Sequence, residues 1–354
     1  MSDYRHAIAD RFRPDHGEHE LACAREQARM RTGFCRDRTH SGRRSLHAGF
    51  WTGGHARDRM PRSKRKVAAI AYGLDFRPMF SRFFKRHPRQ PVIERPVWEA
   101  CAAQMPFLEE LDAGSLEKLF DLADRFAEQK DFTGTHGFEV TDSVRAAIAL
   151  QACLPILRLG LDVYADFVEI IVYPDRFMTP RSVVDESGVV HESVEELSGE
   201  TMPGGPVVLA WPDIDPAMGA PGLSVVIHEF AHKLDMLDGE ADGIPPLNQA
   251  ARARWIERLE AAYSQFCDML ERVESEIPID IDPESEAADR YYARLPLDAY
   301  AATDHAEFFA VASEAFFTMP EAIRDIFPDL HEMFTEYFGW RESAATTGSG
   351  GPAY

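Results

Sequence analysis

Two histidines and a carboxylate stand at a spacing that can do chemistry: the segment VVIHEFAHKLD contains His228-Glu229-x-x-His232. Positions four apart on an α-helix are separated by about 40° of rotation and one turn of rise, so both imidazoles can reach a single Zn²⁺. Glu229 then stands one step round, beside the coordination position left for water, where a carboxylate can serve as general base. The flanks predict the helix. Leu223, Val226, Ile227, Phe230, Ala231 and Leu234 form an i, i+3, i+4 apolar stripe, and Pro221-Gly222 precede it. At ordinary residue frequencies the five-residue pattern arises in roughly one chain per hundred of this length, so its context has to carry the assignment.

A catalytic zinc needs a third protein ligand and keeps its fourth place for water. Downstream, DAYAATDHAEFFAVASEAFF places Glu307 and Glu314 seven apart on one helical face. Glu307 is the expected ligand and Glu314 its outer support. The competing structural roles are a capping box closed with Asp304 for Glu307, and a solvated or ion-paired carboxylate for Glu314. Asp235, three residues past His232, is either an acceptor that orients a ligand imidazole or a helix-end Asp in the turn before Gly239. Asp238-x-Glu240-x-Asp242-Gly243 has the outline of a calcium loop. Its third position is Glu and its twelfth is Gln249, so it reads as a tight turn after the metal helix.

The elements around these residues are partly visible. Helices are expected over 107–129, 143–159, 223–234, 249–274 and 306–317, from apolar periodicity. Phe167–Tyr173 (FVEIIVY), stopped by Pro174, and Gly205–Trp211 (GPVVLAW), stopped by Pro212, read as strands. The second is either an edge to which an extended peptide could add or a central core strand. Helices outnumber strands and the strands precede the metal motif. The expected class is therefore α+β, a helix-rich zincin-like domain with a small sheet beside the HExxH helix.

Several segments together resemble the Mlc titration factor A family of zinc-dependent peptidases: DFTGTHGFEVTD, ALQACLPILRLGLDVY, VYPDRF, GGPVVLAWPDI, HEFAHKLDMLDGEADGIPPL and AYAATDHAEFFAVASEAFF, in that order. The resemblance covers roughly residues 90–340. It implies His228, His232 and Glu307 as ligands of one Zn²⁺ and Glu229 as the catalytic base. It also implies Tyr300, in the AYAA segment, as the group sharing the developing oxyanion, and His191, in GVVHES, as a metal-contacting residue of a closed resting form. The residues alone leave His191 as a plain loop histidine. The implied activity is aminopeptidase-like hydrolysis of peptides. The alternative is a non-catalytic regulator that sequesters a transcriptional repressor of sugar uptake. Met202 departs from the family's usual Trp, and an acidic insert near 274–290 lengthens the span from His232 to Glu307.

Composition sets the frame. The 354 residues carry 38 Lys/Arg against 59 Asp/Glu, a net charge of -21. Residues 1–66 hold 16 basic and 8 acidic side chains, and the remainder 22 and 51, so a +8 segment precedes a -29 body. That body repels nucleic-acid backbones and favours free-amine or basic substrate ends. With 45% apolar residues it can bury a core. Residues 1–70 read as a basic, disordered extension, 71–341 as the metallopeptidase domain and 342–354 as a flexible tail. A basic arm for an anionic partner is the alternative for the first segment. Five cysteines without a C-x-x-C pair, the lack of an apolar h-region and the lack of a membrane span predict a cytoplasmic protein.

Overall fold

A computed structural model describes residues 92–184, 190–216, 223–283 and 285–340, with the side chains of 178–196 outside the description. Most of its helices begin on a polar cap or a proline. Helix α1 (Arg95–Ala102) opens with Pro96 in its first turn, and α2 (Ala113–Gln129) starts where Asp112 accepts from Ser115 N at 2.8 Å. Strand β1 (Asp131–Gly134) follows, then α3 (Asp142–Cys153), capped by Thr141. Apolar almost all round, α3 is buried from Ala146 to Cys153 and serves as a central core helix.

Strands β2 (Glu169–Tyr173), β3 (Phe177–Val184), β4 (Val190–Leu197), β5 (Gly199–Thr201) and β6 (Val207–Ala210) come next. The main sheet has the order β1-β2-β6-β5, with β1, β2 and β6 parallel and β5 antiparallel to β6. The parallel β1–β2 pair is bridged by α3, as a crossover requires. All four residues of β6 are buried between two neighbours, so this strand is central. The edge beside the metal motif is β5, a three-residue strand that periodicity does not reveal. Strands β3 and β4 form a separate antiparallel hairpin, in which His191 pairs with Val183.

The chain then builds α4 (Trp211–Ile214), α5 (Val225–Asp235), α6 (Gln249–Ser275), α7 (Glu286–Tyr292), α8 (His305–Thr318), α9 (Pro320–Ile326) and α10 (Pro328–Phe338). Ser224 caps α5, Asn248 caps α6 and Asp304 caps α8. Helix α5 lies between two aromatic groups. On one side Phe126, Tyr164, Phe167 and Phe230 meet edge to face at 5.0–6.3 Å. On the other, α8 is buried from Phe308 to Phe317 and packs Phe309 and Phe316 against Phe334 of α10. The metal motif is thus held by core packing on both flanks. Among the described residues no helix is long and apolar enough to cross a membrane.

Candidate metal centre

On α5, His228 and His232 present their Nε2 atoms to one carboxylate. Each lies 3.2 Å from Oε2 of Glu307, which enters from the first turn of α8. One donor atom from each of the three lies within 4.8 Å of the others, and all three residues are largely withdrawn from solvent. Two imidazoles and one carboxylate are a donor set suited to zinc, close enough together to share one ion. Burial works against ionisation of Glu307, yet His232 and His228 hold it well below the usual carboxylate range. Burial also lowers both imidazoles, and Glu307 overrides it, so both sit above their ordinary value.

The Glu307 side chain takes the ligand role and does not turn back to close a capping box, although Asp304 does cap the helix. The Glu307 backbone N–H is received by the Asp304 cap at 3.0 Å, while its side chain turns to the histidine pair. Glu314, one helical repeat further on, is buried with Oε2 3.9 Å from His228 Nδ1. Its other oxygen accepts from Ser224 N, the residue that caps α5. Ser224 in turn donates to Gln151 of α3 at 2.7 Å. This buried network ties three helices together behind His228. Of this network the sequence marks only Glu314, through the helical face it shares with Glu307.

Glu229 is buried and lies outside the three-donor group. Burial raises its carboxyl, partly offset by His228 and His232, and the net shift is upward. Tyr300 sits in a short turn (Ala299–Ala302) whose start is capped by Asp298. Its ring lies 6.1 Å from that of His228. Burial first, and then Glu307, pushes its phenol well above the ordinary value, so it stays a proton donor. The backbone of His191 is on β4, and its side chain lies outside the described residues.

Asp235 is fully buried and accepts from Gly243 N at 2.9 Å, which is the helix-end role. Burial raises its carboxyl to about 7, and its charge acts on His232. The acidic turn it meets joins three elements. Gly243 O accepts from Trp255 Nε1 of α6 at 2.8 Å, and Gly243 packs directly on the His305 carbonyl at the start of α8. Asp242 pairs with Arg252 at 3.2 Å, consistent with the structural reading of this turn. The buried Lys233 was not singled out by any motif. Its Nζ donates to the carbonyls of Met202 (2.8 Å) and Gly205 (2.7 Å), which fixes the β5–β6 turn to α5.

Two helix-borne imidazoles and a carboxylate from a later helix, beside a buried carboxylate outside the donor group, define a site of the metallopeptidase class. Residues 81–339 match the family described as glucose-regulated metallo-peptidase M90, and the chain belongs to that family. Relatives named Mlc titration factor A bear this out. The protein from Cronobacter sakazakii is 40% identical over 243 residues, covering 68% of this chain and 85% of its own. Those from Escherichia fergusonii and an Enterobacter species are 38% and 36% identical, covering 70% and 72% of this chain and 88% and 92% of theirs.

Proposed function

We propose that the protein is a zinc-dependent peptidase that cleaves residues from the free amino ends of peptides. The observation that carries this reading is the buried Glu229 carboxylate beside, but outside, the His228–His232–Glu307 donor group. A site with a purely structural metal has no use for it. Bound at the three donors, Zn²⁺ would lower the pKa of a water to near neutrality and polarise a peptide carbonyl. Glu229 accepts the proton of the attacking water and passes it to the departing amine, a task suited to a carboxyl raised by burial. Tyr300 donates its phenolic hydrogen to the carbonyl oxygen as charge builds there. The peptide lies along β5, the edge of the sheet beside α5. The -29 balance of residues 67–354 favours substrates with a free amine.

A second reading follows from the relatives' name, which says that they titrate Mlc. In it the protein binds a repressor and hydrolysis is incidental. Glu229→Gln separates the two. With zinc content unchanged, hydrolysis of a panel of unblocked and N-acetylated peptides is expected to fall about 10²–10⁴-fold. Unchanged hydrolysis would remove Glu229 as the base, and an inactive wild-type, zinc-loaded protein would leave the binding reading standing.

A further inference from the structure

Strand β5 approaches the Glu229 side chain so closely that only a residue without a side chain fits at position 199. A Cβ built on Gly199 would stand 2.5 Å from Glu229 Oε1, 2.7 Å from its Cγ and 2.9 Å from its Cδ. These are distances that real Cβ contacts do not adopt, so a methyl group there forces either the strand or the carboxylate to move.

The strand is the better anchored of the two. Gly199, Glu200 and Thr201 pair with Leu209, Val208 and Val207 of the buried central strand, and Ala210 N donates to Ser198 O at 2.8 Å. Thr201 Oγ1 donates to the Glu229 carbonyl at 3.2 Å. Lys233 Nζ, on the same helix as Glu229, holds the carbonyls of Met202 and Gly205 just beyond the strand. Withdrawing β5 would strip that buried ammonium of acceptors, which costs more than turning a side chain about its own torsions. Helix α5 is equally fixed by the packing on its two flanks. What yields is the Glu229 carboxylate.

We propose that Gly199 is a positioning residue: the bare strand at this point sets where the Glu229 carboxylate lies, with Lys233 and Thr201 holding the strand in place. The inference rests on the reading of Glu229 as the base and goes beyond it. It names the surface against which the base is seated. Restoring ordinary contact with a methyl group would displace the carboxylate by about 1 Å, and a misplacement of that size at a reacting group lowers turnover about 10²-fold.

The test is Gly199→Ala, alone and with Glu229→Ala, which removes the Cγ, Cδ and Oε1 that a Cβ at position 199 would meet. In zinc-loaded protein, Gly199→Ala is expected to lower kcat about 10²-fold, with KM and the zinc Kd from chelator competition within about threefold of wild type. In the Glu229→Ala background, which has no base to displace, a crystal structure should show β5 and α5 unmoved by the same substitution, because the clash is gone. A crystal structure of Gly199→Ala should show the Glu229 carboxylate displaced and β5 in place. Wild-type kcat in Gly199→Ala, an unmoved carboxylate, or β5 displaced in both backgrounds would overturn the proposal. So would a variant that folds neither alone nor with Glu229→Ala, since Gly199 would then be a folding residue. If zinc-loaded wild type hydrolysed no peptide, the reading of Glu229 would fail on its own, and the crystallographic comparison would still decide what seats its carboxylate.

Discussion

Glu314 touches the cap of the metal helix with one oxygen and faces the far side of His228 with the other. A carboxylate opposite Nδ1 favours the tautomer that leaves Nε2 free to bind a metal, and raises the basicity of that nitrogen. Glutamine at the same position keeps an acceptor for Ser224 N but brings no charge. Glu314→Gln is therefore expected to fold normally and to bind zinc about 10–100-fold more weakly. Competition with a chromogenic chelator measures this, and an affinity within twofold of wild type would contradict it. Much of this site was legible residue by residue. His228, Glu229 and His232 form a contiguous pattern, and Glu307 and Glu314 share a helical face that points back at it. Ser224, Gln151, Lys233 and Gly199 were not legible. Each acts through a partner 28 to 90 residues away, for which local spacing carries no signal.

Among the elements, the acidic turn between α5 and α6 fixes how Glu307 meets the histidines. Gly243 has φ +74°, receives Trp255, donates to Asp235 and lies against the His305 carbonyl, closer than a Cβ would allow. Gly243→Ala would combine left-handed strain of about 1–2 kcal/mol with a collision against the first turn of α8. The expected loss in urea denaturation is at least about 2 kcal/mol. Zinc affinity should fall with it, because the displaced turn carries Glu307. Normal stability with weakened zinc binding would instead mean that only the ligand geometry depends on the turn. The long helices were visible in the sequence because their apolar stripes persist over several turns. Strands β1 and β5 are four and three residues long and gain their pairing from β2 and β6. The β3–β4 hairpin, with its run of charged residues, lacks the strict alternation of a half-buried strand. Helices α9 and α10 each open on a proline, which reads as a break until its place in the first turn is known.

Across the whole molecule, the charge that marks the body as acidic is accompanied by two buried lysines that hold the site's rear wall together. Lys130 Nζ lies 3.7 Å from the Phe167 ring centroid and Lys233 Nζ 4.5 Å from it. Lys130 also donates to the carbonyls of Tyr164 (2.5 Å) and Phe167 (2.6 Å), closing the C-terminal end of α2 on the segment before β2. Burial pushes the Lys130 ammonium down to about 8. Lys233 adds to the effect, while Asp166 and Cys153 oppose it. Below that value Lys130 is protonated in both the folded and the unfolded chain, and its burial cost is present in full. Between about 8 and the ordinary lysine value of about 10.4, the unfolded chain binds the extra proton, so this group's contribution to stability rises with pH. Buried Cys153 and Tyr164, both raised well above their ordinary values, act in the opposite direction, and total stability therefore conceals the effect. Comparison with Lys130→Met isolates it. Relative to this variant, the wild type is expected to gain up to about 3 kcal/mol between pH 7.5 and pH 10.5, measured by urea denaturation at matched ionic strength. A pH-independent difference would mean that Lys130 keeps an ordinary affinity for its proton behind the metal centre.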